Sequence, residues 1–216
     1  MAEWQLFEPG TIPEWTRPDW YAGRERAPHL EQELHRPRLL EAAEQINAAA
    51  DKYDCDTLVD LGAGDGGLLQ LLFAGHKSRW NGMTAWGYDL QPENIAGAAE
   101  RGVPVFYGDV VAGHELLGRS KDGAMQRMPL DWGDIAVATE MLEHLLDPAG
   151  FVRTIAEHSR VLVASSPRTE RPGAAYGFHT FAWDEAGYRE LLEQGGFDVV
   201  RQEPVGMFQV VTGVRR

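Results

Sequence analysis

Little in this chain points to a secreted or membrane setting. Cysteine occurs once, at Cys55, so no internal disulfide can form and a reducing, cytoplasmic location is the expectation. With the lone thiol placed just before the first strand, thiol catalysis has no ground either. Long apolar runs are absent, and the N-terminus lacks the charged-then-apolar pattern of a signal peptide. Positive charge is scarce: 20 basic residues stand against 33 acidic ones, a net charge of −13. A surface of that sign repels nucleic acid and anionic membranes, so a small-molecule partner is expected. There is no repeat or low-complexity tract, and 216 residues suit one domain better than two.

Glycine is plentiful by contrast, and it is concentrated where it matters. Leu58-Val59-Asp60-Leu61 reads as a short apolar strand, Gly62-Ala63-Gly64-Asp65-Gly66-Gly67 as a turn, and Leu68-Leu69-Gln70-Leu71-Leu72 as the opening of an apolar helix. Such a turn lets a ligand lie against bare backbone. Gly62, Gly64 and Gly67 fit the dinucleotide spacing G-x-G-x-x-G. Two acids speak against a pyrophosphate, however. Asp60 ends the strand and Asp65 lies inside the turn, whereas a ligand carrying a sulfonium and an ammonium favours carboxylates nearby.

Strand-like runs near 57–61, 83–89, 103–107, 133–138 and 160–165 alternate with helical patterns near 66–74, 92–101, 141–158 (interrupted at Pro148) and 184–194. Alternation of this kind predicts a parallel sheet with helices on both faces. Phe197–Val200 and Met207–Val211 are close together with no helix between them, which predicts an antiparallel C-terminal hairpin. Before the first strand, Leu30, Leu34, Leu40, Ala43 and Ile46 suit a helix from about Pro28 to Tyr53, kinked at Pro37. Residues 1–20 read as irregular, broken by Pro9, Pro13 and Pro18 but rich in large rings.

The motif D-x-G-x-G-x-G, complete at Asp60, Gly62, Gly64 and Gly66, resembles the signature of class I S-adenosylmethionine-dependent methyltransferases. The resemblance spans residues 57–212 and implies an α/β, Rossmann-like methyltransferase fold. That fold has a seven-stranded, mostly parallel sheet, an antiparallel C-terminal hairpin and helices on both faces. It implies one methyltransferase domain over 1–216, with 1–53 as an N-terminal cap or lid and 54–216 as the core. It also implies S-adenosyl-L-methionine as cofactor, bound along Asp60, Gly62, Ala63, Gly64, Gly66 and Glu140. Asp89 would hold the ribose, Leu90 would pack on the adenine, and Asp109 and Val110 would read the adenine edge. For Asp89 a helix cap, and for Asp109 an ordinary turn, are the plainer alternatives. The family's Pro-Gly-Gly turn before the fifth strand is missing, Glu157-His158-Ser159-Arg160 standing in its place.

After the fourth strand, Glu140, Glu143 and His144 would share one face if the segment is helical. This run resembles E-x-x-E-H of ubiquinone-pathway O-methyltransferases and of small-RNA 3′-terminal 2′-O-methyltransferases, in which a later histidine joins a metal site. His179 would be that histidine, so Glu140, Glu143, His144 and His179 form a candidate site for Mg²⁺ or Mn²⁺. Read without a metal, His179, His144 and Glu140 are the candidate catalytic acid–base groups. The expected activity is methyl transfer to an O or N atom of a small molecule. The alternatives are a metal-dependent RNA ribose 2′-O-methyltransferase, an inactive cofactor-binding partner subunit, and an NAD-dependent oxidoreductase. Tyr21, Arg24, Arg36 and Arg38 of the N-terminal segment are candidates to meet an acidic substrate or the cofactor carboxylate.

Overall fold

The computed structural model describes residues 3–21, 23–74, 79–119 and 125–216. In chain order the strands are β1 (Glu3–Gln5), β2 (Leu58–Leu61), β3 (Ala85–Asp89), β4 (Val105–Asp109), β5 (His114–Arg119), β6 (Met125–Pro129), β7 (Ile135–Thr139), β8 (Val161–Pro167), β9 (Phe181–Trp183), β10 (Phe197–Val205) and β11 (Phe208–Arg215). The helices are α1 (Arg36–Tyr53), α2 (Gly67–Ala74), α3 (Pro92–Arg101), α4 (Pro148–His158) and α5 (Glu185–Gln194). Short 3-10 turns lie at Glu14–Thr16, Pro18–Tyr21 and Leu142–His144.

One sheet runs β10-β11-β8-β7-β2-β3-β4-β5-β6. Strands β8, β7, β2, β3 and β4 pair in parallel, while β11 is antiparallel to both β8 and β10. These seven strands are the sheet that the alternation and the resemblance predicted. The hairpin β5–β6 then extends it past β4 by antiparallel pairing. The sequence reading placed no strand there, because charges and a glycine in His114–Arg119 interrupt any period-2 apolar pattern.

The parallel strands are buried on both sides, so their side chains sort by parity. Ile135, Val137, Val161 and Val163 join one core with α1, α2 and α3; Ala136, Ala138, Leu162 and Ala164 join the other with α4 and α5. Near-continuous apolar runs in β7 and β8 follow from that double burial.

Two boundaries differ from the expectation. The helix before β2 begins at Arg36, and Pro37 lies in its first turn, where a missing N–H costs no intrahelical bond. Pro37 therefore starts the helix rather than kinking it, and residues 28–35 are irregular, with turns at 29–31 and 33–35. The long 141–158 segment divides into the 3-10 turn and α4, whose start Asp147 caps by accepting from the Gly150 N–H at 2.7 Å.

The N-terminal segment is tied to the far end of the chain. β1 pairs antiparallel with β9 (Glu3 opposite Trp183, Gln5 opposite Phe181), and Trp183 Nε1 donates to Glu3 at 2.8 Å. The loop 168–180 and the N-terminal residues are thereby held side by side, above the carboxyl ends of the parallel strands.

Phe197 opens β10, is fully buried and packs in the core shared with α5. Phe197→Ala is expected to destabilise the protein by about 3–5 kcal/mol through the cavity it leaves, measured by urea unfolding.

Candidate active site

Carboxylates gather where the parallel strands end. Asp60 is the last residue but one of β2, Asp89 ends β3, Asp109 ends β4 and Glu140 follows β7. All four line a cavity of about 840 Å³, together with Gly62, Ala63, Gly64, Leu90, Val110 and His144. Over it lie Thr16, Pro18, Trp20, Tyr21 and Arg24 of the N-terminal segment. A chamber beyond the carboxyl ends of parallel strands is where an open α/β sheet binds its ligand.

The glycine turn is shaped by close approaches. Gly62, Gly64 and Gly66 all take positive φ, at 77°, 57° and 74°. Gly66 lies outside the cavity lining; a Cβ there would stand 2.4 Å from Val103 Cγ2, so its bareness lets the turn pack on the start of β4. Across the turn the Gly64 N–H donates to Asp89 Oδ2 at 2.8 Å, and Asp89 Oδ1 accepts from the Gln91 N–H at 2.8 Å. Asp89 thus links the glycine turn to Gln91, the residue before α3, while it lines the cavity; no side chain among the described residues caps the helix. Burial nonetheless pushes its carboxyl up.

Asp65 is a correction to the electrostatic argument from sequence. It is 2% exposed and pairs with Arg26 Nε at 2.9 Å and Arg101 Nη2 at 2.6 Å. A carboxylate so compensated does not repel a pyrophosphate, and the weight of that argument falls on Asp60. Asp60 is buried, and its Oδ1 has no hydrogen-bond partner among the described residues. Burial first, then the charge of Asp89, pushes its pKa up to about 7. A cationic ligand group would relieve that cost.

The segment after β7 is not an α-helix, which corrects the shared-face argument. Glu140 takes a left-handed φ of 54°, an uncommon and strained setting for a residue with a Cβ. Its carboxylate turns to the β8 side: Ser165 Oγ donates to Glu140 Oε1 at 3.1 Å, and the buried Arg38 donates from Nη1 to Ser165 Oγ at 3.2 Å. The ligand atoms that come within 4.8 Å of one another belong to Glu143, His144 and His179. Glu140 is not among them, so the metal set foreseen with Glu140 shrinks to three residues.

That trio is assembled by the loop after β8. The Glu143 backbone carbonyl accepts from the Thr180 N–H at 2.6 Å and from Thr180 Oγ1 at 2.7 Å, clamping the 3-10 turn to residue 180. The His144 and His179 rings stand 4.7 Å apart, edge to face. Because a carbonyl oxygen only accepts, His144 Nδ1 must donate to Phe178 O at 2.9 Å, and the lone pair is left on Nε2. His179 Nδ1 faces Glu170 Oε2 at 2.6 Å, which likewise leaves Nε2 as the free position. Burial, then His179, depresses the His144 pKa to about 4. Glu143 is 1% exposed, and neither carboxylate oxygen has a hydrogen-bond partner among the described residues. Burial and the Glu140 charge hold its carboxyl well above the ordinary range.

Sequence reasoning missed Glu170 and Thr180. Both fall in a loop where no spacing rule applies, and only the path of the loop brings them to the trio. Of the N-terminal candidates, Tyr21 and Arg24 line the cavity, with Arg24 Cζ 3.8 Å over the Trp20 ring. Burial, then Asp89, pushes the Tyr21 pKa up to about 12. Arg38 is interior and Arg36 exposed.

Asp60 yields a pH-dependent prediction for the ligand-free protein. Its folded pKa lies above its unfolded value, so the stability linked to its protonated form is complete below about pH 4 and lost as pH rises through about 7. Asp60→Asn removes that loss. Its stability advantage over the parent is expected to grow by about 2 kcal/mol between roughly pH 5.5 and 8.5, read from urea unfolding at each pH. An advantage independent of pH would mean that Asp60 is ionised throughout.

Comparison with known proteins agrees with this architecture. A family model described as a methyltransferase domain matches residues 29–202. No curated protein matches the chain in sequence at a significant level. Among solved structures, magnesium protoporphyrin IX methyltransferase from Synechocystis PCC 6803, with bound S-adenosylhomocysteine, is similar at a TM-score of 0.59. The two are 15% identical, over 94% of this chain and 93% of that one. The methyltransferase domain of bacterial CtHen1 superposes at 0.57 with 17% identity, over 84% of this chain and 100% of that one. Mitomycin 7-O-methyltransferase superposes at 0.56 with 21% identity, over 82% of this chain and 54% of that one. Glycine turn, strand-end acids, sheet order and family match converge: the chain belongs to the S-adenosylmethionine-dependent methyltransferases of class I.

Proposed function

We propose that this methyltransferase acts on a hydroxyl oxygen of a small molecule that presents a second oxygen beside it. The cofactor S-adenosyl-L-methionine would occupy the 840 Å³ cavity. Asp60 would face its cationic methionine end, Asp89 its ribose, and Asp109 and Val110 its adenine. The observation that carries the acceptor reading is Glu143, a buried carboxylate without a partner among the described residues, set beside two imidazoles that each offer Nε2. Two nitrogens and one carboxylate are a donor set for a divalent transition metal. They suit Mn²⁺ better than Mg²⁺, which prefers oxygen ligands and its own waters.

Glu143, His144 and His179 would hold such an ion. When bound, it supplies positive charge that acidifies a ligated hydroxyl and fixes two neighbouring oxygens. The chain's own groups do the rest. Glu170 and the Phe178 carbonyl keep both rings in the tautomer that offers Nε2. The hydroxyl oxygen's lone pair forms the new O–C bond as the C–S pair returns to sulfur, and Glu140, lining the cavity but outside the trio, receives the proton. Tyr21, Trp20 and Arg24 exclude water from above. The net charge of −13 argues against an RNA acceptor for the same site.

Titration of Mn²⁺ into the protein saturated with S-adenosylhomocysteine tests this reading. Binding is expected in the parent and absent in Glu143→Gln. Glu170→Gln should weaken it by about 10–100-fold, since it alters the group that orients His179. Equal Mn²⁺ affinity in the parent and Glu143→Gln would remove the metal from the proposal.

A further inference from the structure

The large cavity carries charge of opposite sign on its floor and its roof. Asp60, Asp89, Asp109 and Glu140 line it at the strand ends, with Asp65 and Asp147 beside them. Arg24, in the N-terminal roof, is the one Lys or Arg that lines it among the described residues. His29 and His144 line it too, but burial above all lowers their pKa values to about 3 and about 4. Neither imidazole therefore brings positive charge at neutral pH, and Arg24 is the fixed cation of the chamber.

Arg24 is held in place without being neutralised. Its near neighbour Arg26 pairs with Asp65 at 2.9 Å and with Glu100 at 2.7 Å, whereas Arg24 has no ion pair among the described residues. Its guanidinium carbon instead stands 3.8 Å from the centre of the Trp20 ring and 5.4 Å from that of Phe178. Rings hold a guanidinium by its face and leave the N–H edges for a planar anion. The anchoring rings adjoin the histidines: the Phe178 carbonyl accepts from His144 Nδ1, and Trp20 and Tyr176 pack on the Phe178 ring at 5.0 and 5.2 Å. Trp20, Tyr176 and Phe178 line the same cavity as His144, Glu140 and the glycine turn. A molecule bound under this roof therefore shares one chamber with the cofactor cradle and with the proton acceptor.

We propose that Arg24 sets the charge of the acceptor: it receives the carboxylate of an aromatic acceptor whose ring packs under Trp20, Tyr176 and Phe178. A carboxylate matches the paired N–H groups of a guanidinium and brings one negative charge, whereas a phosphate dianion adds a second above the acids of the floor. The cofactor's own carboxylate is the competing partner. On the reading above, the methionine end lies at Asp60. Arg24 is tied elsewhere, its carbonyl accepting from Gln91 Nε2 at 3.2 Å and its guanidinium packing on Phe178 of the histidine loop. The inference rests on the hydroxyl-acceptor reading for the reaction itself, but the charge preference stands on Arg24.

The probes are (3,4-dihydroxyphenyl)acetate and its methyl ester, titrated calorimetrically into the full chain saturated with S-adenosylhomocysteine, with and without Mn²⁺. In the parent the acid is expected to bind about tenfold more tightly than the ester, or better. Arg24→Gln should bring that ratio close to one. Arg24→Glu supplies a gain that misfolding cannot mimic: dopamine, a cation with the same ring, should bind more tightly than the acid. The cofactor's carboxylate is separated by a second ratio, the affinity for S-adenosylhomocysteine over that for 5′-methylthioadenosine, which lacks the amino-acid end. That ratio is expected to be the same in the parent and in Arg24→Gln. Three results overturn the proposal: no binding of the acid to the parent, equal affinity for acid and ester, or a fall of the cofactor ratio in Arg24→Gln. A charge preference that persists in a parent protein unable to bind Mn²⁺ would instead sink the metal reading and leave the assignment of Arg24 standing.

Discussion

Burial of like charge is the constraint around which this molecule is organised. Asp60, Asp89, Glu140 and Glu143 are drawn together where the parallel strands end, and Glu170 lies behind His179. The buried guanidinium of Arg38 pairs with Glu140 at 3.9 Å and also reaches it through Ser165, but Glu143 and one oxygen of Asp60 keep no hydrogen-bond partner among the described residues. In a low-dielectric interior, unpaired carboxylates cost several kcal/mol unless they are protonated or met by a cation. A fold that concentrates them is arranged for positive ligands, and both proposed ligands, a sulfonium with an ammonium and a divalent metal ion, meet that condition.

The fold creates the concentration at small cost elsewhere. Two apolar layers sandwich the sheet, and the polar side chains of β7 and β8, Thr139, Ser165 and Ser166, fall in the last residues of the strands. The chain spends its irregular backbone at the strand ends: three positive-φ glycines after β2 and a left-handed Glu140 after β7. Asp65 illustrates the contrast. It sits in the same turn yet is fully compensated by Arg26 and Arg101, so it fastens the N-terminal segment and α3 to the turn and faces no missing partner.

The loop 168–180 builds the surroundings of the two histidines. It contributes Glu170, Tyr176, Phe178 and His179, and Thr180 locks it to the Glu143 carbonyl. Because β9 then pairs with β1 and the Leu6 N–H donates to Thr180 O, the N-terminal residues are held against this loop.

Much of this was legible from the residues. Alternating apolar runs located seven strands and the order of helices, because a parallel strand buried on both faces must be apolar throughout. Asp60, Asp89, Asp109 and Glu140 could be placed together, since each ends or follows a strand whose direction is set by the alternation. The start of α1 at Arg36, the β5–β6 hairpin and the pairing of Asp65 were not legible: a proline's position within a helix, an edge pairing and a salt bridge depend on neighbours distant in sequence. The same holds for the trio. The sequence by itself determined the sheet, the glycine turn and the strand-end acids, which arise from local pattern and strand direction. Only the tertiary structure decided that Glu143, His144 and His179 converge while Glu140 turns to Ser165, because that outcome is set by how a loop of no regular period is anchored across the sheet's end.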